Sequence, residues 1–72
     1  MLYSVAMDKS LQDAITAAGS AKALADRLGV TAQAISQWSK VPALRVLDVE
    51  RATGVSRHEL RPDLYPREDA AA

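Results

Sequence analysis

Apolar positions recur along this chain at helical spacing, in short blocks separated by glycine. Leu11, Ala14, Ile15 and Ala18 fall on one face of a helix over Lys9–Ala18, and Gly19 stops it. Ser20 is a good N-cap for a second run, in which Leu24, Ala25 and Leu28 share a face before Gly29. Thr31 caps a third helix, expected over Thr31 to Ser39, with Ala34, Ile35 and Trp38 turned inward. Val41-Pro42 breaks the chain, and Pro42 suits the first turn of a fourth helix. Val46, Leu47 and Val49 form the apolar side of that helix, and Gly54 ends it. Ser56, with Glu59 three residues later, has the capping-box spacing and opens a short turn of helix, "SRHEL", before Pro62. Two-residue alternation is nowhere sustained; "LYSVA" at 2–6 is the one stretch with strand character. The pattern predicts an all-α, compact five-helix domain with short connections.

The 72 residues support one small domain with a limited core. It is expected over 1–66, with 1–6 a loose extension ahead of a second methionine, Met7, and "REDAAA" at 67–72 a solvated tail. The chain has no cysteine, which excludes disulfides and thiolate metal sites and suits a reducing compartment. His58 is the single histidine and makes no metal site alone. It sits among Arg57, Glu59 and Arg61, where a surface role is expected. No apolar run has the length of a membrane span, and the opening "MLYSVAMDKS" lacks the basic and apolar regions of a signal peptide. The expectation is a soluble cytoplasmic protein with no cofactor and no membrane partner.

Charge changes the picture through its distribution. The formal net charge is zero, but Ser20–Arg45 carries Lys22, Arg27, Lys40 and Arg45 against Asp26 alone. The segment from Asp63 onward carries Asp63, Glu68 and Asp69 against Arg67. The middle is therefore locally basic, enough to hold phosphates although long-range steering is weak. That basic stretch coincides with a helix, a turn at Gly29-Val30 and a second helix. Ala25 is small where the two helices must cross. Gly29 can take a positive backbone angle. Val30 and Ile35 fill the wedge between the helices, and Leu24 and Trp38 tie the pair to the core. Units of this kind lay their second helix in the major groove of DNA while the first crosses the backbone.

The segment "AKALADRLGVTAQAISQW" resembles the helix-turn-helix of Cro and lambda-repressor-like DNA-binding domains. From Met7 to Pro66 the chain is similar to the YdaS type of Cro-like regulators, most specifically in "ERATGVSRHELRPDLYP". These are small prophage-associated proteins often described as antitoxins. The resemblance implies a five-helix DNA-binding domain that regulates transcription, with helices 2 and 3 as its helix-turn-helix. It further implies a homodimer on a pseudo-palindromic double-stranded DNA site. Thr31, Ala32 and Gln33 open the recognition helix, with Ser36 and Gln37 one turn further on. Gln pairs bidentately with adenine, Ser and Thr discriminate less, and an alanine methyl packs on a thymine methyl. Some related repressors have glutamine where this chain has Ala32. Ser20 matches a backbone-contact position, and Lys22, Lys40 and Arg45 are phosphate partners by charge and place.

Each of these residues also has a plainer role. Gln33, Ser36 and Gln37 suit any solvated helix, Thr31 serves as a cap, and lysines and arginines are common on surfaces. Trp38 is in register with Ile35 and so belongs to the core rather than to base stacking. No pair of carboxylates marks a pocket, and no nucleophile, base and orienting group occur together, so an enzyme is not expected. Leu44 falls off the apolar face of its helix. With Leu64 and Tyr65 it is a candidate contact between two copies of the chain. The alternative to DNA binding is a protein-interaction module, such as an antitoxin that touches a partner toxin directly.

Overall fold

A glycine or a hydroxyl cap marks at least one end of every α-helix. The computed structural model describes residues 7–66, so the expected extension and strand character within 1–6 and the tail at 67–72 lie outside the described residues. Five α-helices follow in order: α1 (Lys9–Ala18), α2 (Ala21–Leu28), α3 (Ala32–Ser36), α4 (Val46–Thr53) and α5 (Arg57–Leu60). A 3-10 turn at Ala43–Arg45 leads directly into α4. No strand occurs among the described residues. The all-α, five-helix expectation holds.

The caps follow the residue chemistry. The Ser20 hydroxyl accepts from the Ala23 amide at 3.0 Å, and Thr31 Oγ1 accepts from the Ala34 amide at 3.1 Å. Gly54 closes α4 with φ 81°, in the left-handed region. At α5 the Ser56 hydroxyl accepts from the amide of His58 at 3.1 Å, and the Glu59 amide donates to the Ser56 carbonyl at 2.9 Å. The amide of Arg57 donates to Glu50 of α4 at 2.9 Å. A carboxylate from a neighbouring helix thus serves the start of α5.

The core is a single apolar cluster of Leu11, Ala14, Leu24, Ala25, Ile35, Val41, Val46, Val49 and Leu60. Helix α2 lies at its centre and touches α1, α3 and α4. Trp38 packs against the cluster, as its register with Ile35 requires. Two apolar residues depart from expectation. Leu47, placed by spacing on the core side of α4, is exposed. At about 100° per residue Val46 and Val49 lie about 60° apart on α4, whereas Leu47 stands about 100° from Val46 and about 160° from Val49 and so turns outward. Val41, in the break before Pro42, is fully buried.

Polar bonds tie distant segments around this core. Arg27 Nη1 donates to the Ala52 carbonyl at 2.9 Å, joining the ends of α2 and α4. Arg61 donates from Nη1 to the Val41 carbonyl and from Nε and Nη2 to Asp63, at 2.7–3.0 Å. His58 is half-buried, and its Nδ1 donates to the Tyr65 carbonyl at 2.8 Å. It closes the C-terminal segment onto α5 and is not the plain surface histidine its neighbours suggest.

These bonds shift two carboxylates. Hydrogen bonding from Arg61 pulls the Asp63 carboxyl down from 3.8 to about 2. The Arg57 amide, aided by the Arg57 guanidinium, lowers Glu50 below its ordinary value. Both are depressed in the folded chain. Their stabilisation is therefore complete above the ordinary carboxylate range and is lost as pH falls through the folded values. Asp63→Asn is expected to flatten the fall in unfolding free energy between pH 3.8 and about 2. Urea titrations at several acid pH values check this, and an unchanged acid slope would remove Asp63 from the account.

Candidate nucleic-acid interface

The site is built at the corner between α2 and α3. Gly29 has φ 74° and ψ 29°, in the left-handed region that lets the chain reverse within two residues. The amide of Val30 donates to the Ala25 carbonyl at 3.0 Å and fixes the corner. Ala25 is 2% exposed, so the crossing point admits nothing larger without displacement. Nothing stands within 4 Å of a Cβ built on Gly29. Gly29→Ala should therefore cost only the left-handed backbone penalty, about 1 kcal/mol. Chemical denaturation measures it, and a loss several times larger would mean the corner is sterically closed.

Helix α3 ends at Ser36, earlier than the Ser39 expected. No glycine follows to cap it. The amides of Gln37 and Trp38 turn back to the Ala34 and Ile35 carbonyls in a tighter, 3-10-like closure. The Ser39 carbonyl then accepts from the Asp8 amide at 2.7 Å, while Arg61 holds the Val41 carbonyl. The segment leaving α3 is thus pinned from both ends of the domain.

Thr31, Gln33, Ser36 and Gln37 are all exposed. Neither glutamine side chain has a hydrogen-bond partner among the described residues, so both amides are free to donate and accept. The two hydroxyls differ. Thr31 Oγ1 already accepts from Ala34, which leaves its proton to donate. The Ser36 hydroxyl donates to the Gln33 carbonyl at 2.7 Å, which leaves its lone pairs to accept. Ala32 packs in part against the core, so its methyl is only half available.

The cationic candidates surround this row unevenly. Ser20 is exposed at the start of α2. Lys22 is paired to Asp26 at 3.1 Å, with side chains 79% and 67% exposed, a pair weak enough to exchange for another anion. Lys40 is exposed and close enough to Asp63 for its charge to help lower that carboxyl. Arg45 is half-buried. Of the candidate contacts between copies, Leu44 is 94% exposed and Leu64 44%, while Tyr65 packs against the core with Arg57 above its ring. No group of acidic or histidine residues among those described could hold a metal ion. No helix among them is long and apolar enough to cross a membrane. Sequence spacing did not reveal Glu50, Arg27 or Arg61, since each acts through a partner distant in the chain.

The chain is similar to a solved structure, the Cro protein from the prophage element Xfaso 1 of Xylella fastidiosa strain Ann-1. The identity is 43% and the TM-score 0.78, over 83% of this chain and 100% of that one. No curated protein matches. The profile of the family described as bacterial toxin YdaS matches residues 11–68, which spans α2 through α5 and most of α1. This all-helical, Cro-like chain belongs to the YdaS family.

Proposed function

We propose that the protein is a sequence-specific double-stranded DNA-binding regulator of transcription, acting as a Cro-like repressor. The observation that carries this is the row Thr31, Gln33, Ser36 and Gln37, exposed behind a left-handed corner and spared any core duty. In this reading α3 enters the major groove. Gln33 and Gln37 pair with adenines, Thr31 donates to a base or phosphate oxygen, Ser36 accepts from an exocyclic amine, and Ala32 lies against a thymine methyl. Ser20 and the α2 N-terminus meet a phosphate, as do Lys22, Lys40 and Arg45. Two copies, meeting through Leu44, Leu64 and Tyr65, read a pseudo-palindrome.

Fluorescence anisotropy of labelled duplexes across a salt series tests the phosphate contacts. Affinity should fall steeply with salt. Lys40→Ala should weaken all sequences alike and reduce the log–log salt slope by about 1. A flat salt response would contradict a phosphate-anchored complex.

The family's description as a toxin favours a second reading, in which the domain acts by contact with a partner protein. Absence of any DNA shift, together with a neighbouring gene product that copurifies, would support it over the first.

A further inference from the structure

The outer face of α4 combines two features. Leu44, in the 3-10 turn, and Leu47, one turn on, are 94% and 41% exposed. Single exposed leucines are ordinary, and these alone would identify no occupant. Beside them stand Asp48 and Arg51, also exposed and at helical spacing from Leu44 and Leu47. Neither charge has an ion pair or hydrogen-bond partner among the described residues, although they are three residues apart on the same helix. The basic side chains on the neighbouring helices are committed elsewhere, Lys9 to Asp13, Lys22 to Asp26, Arg27 to the Ala52 carbonyl and Arg57 to Glu50.

Such a face is complementary to itself. When a helix lies antiparallel to its own copy about a twofold axis, a contact from one residue to another is made twice. The register that sets Asp48 against the partner's Arg51 therefore also sets Arg51 against the partner's Asp48. It places Leu47 of each copy opposite the partner's Ala52, beside the two ion pairs. A parallel arrangement would oppose like charges, which is costly across an interface.

We infer that α4 is the twofold contact of a homodimer, with Leu44 and Leu47 supplying apolar area and reciprocal Asp48–Arg51 pairs setting the register. This deepens the two-subunit reading above and rests on it. It adds Leu47, Asp48 and Arg51 to the contact and makes α4, rather than the C-terminal Leu64 and Tyr65, its centre.

A charge-reversal pair tests the inference without touching the core. Asp48→Arg leaves two arginines on the face, and Arg51→Asp leaves two aspartates. Each variant alone should lose self-association about a hundredfold by sedimentation, because both contacts become repulsive. Mixed in equal amounts, the two should associate again, since every contact in the mixed dimer joins opposite charges. Far-UV circular dichroism confirms that each variant is folded, both positions being exposed. Variants that self-associate like wild type, a mixture that stays monomeric, or a wild-type chain that sediments as a monomer at all concentrations would overturn it. Anisotropy on DNA is read separately. Retained DNA binding beside unaltered association sinks the α4 interface alone, whereas the expected association pattern with no DNA binding sinks the regulator reading.

Discussion

Ile35→Ala is expected to lower the unfolding free energy by about 2–5 kcal/mol. Ile35 is fully buried and is the only fully buried residue of α3. That helix has five residues, too few to be stable without tertiary packing. Removing the one side chain that fills its wedge leaves a cavity in the cluster it shares with Leu24 and Ala25 of α2. A domain this small has stability near the low end of about 5–15 kcal/mol, so the loss is a large share of the total. Urea denaturation followed by circular dichroism measures it, with Trp38 emission reporting the same region. Leu47→Ala is the control on the neighbouring element. Being exposed, Leu47 should change monomer stability by no more than about 0.5 kcal/mol. Equal losses for the two would mean that the burial pattern of α4 is wrong.

Gln33→Ala and Gln37→Ala are each expected to weaken binding to the preferred site by about 1–3 kcal/mol, or roughly 5- to 150-fold. Both side chains are exposed, so folding should be unaffected. Non-specific affinity, which comes from phosphates, should stay unchanged. Specific and random duplexes compared at one salt concentration separate the two terms. Equal losses on both duplexes would assign the glutamines to backbone contact instead.

Both limits of α2 and the C-terminal ends of α1 and α4 were legible because Ser20 and the glycines stand there and their effect is local, whereas α4 starts at Val46 rather than at Pro42 because a 3-10 turn intervenes. The helix-turn-helix corner was legible for the same reason: Ala25, Gly29 and Ile35 each do something their chemistry dictates. The end of α3 was not, because a backbone bond between Asp8 and Ser39 bends the chain there. Leu47 follows Val46 in the chain but lies about 100° round the helix from it, so adjacency gives no shared face. Arg61, Glu50 and His58 act across intervals that sequence spacing does not encode. At the interface, spacing identified the exposed row but not the state of each group. That the Ser36 proton is occupied and that Lys22 holds Asp26 come from geometry. These details decide which polar groups remain free to meet a base or a phosphate.

Selection of bound duplexes from random DNA by the wild-type chain tests the central claim most directly. The account predicts enrichment of one short motif in inverted repeat, with its half-sites about 10 base pairs apart or a multiple of that. Enrichment of no motif, with binding that depends only on salt, would contradict it.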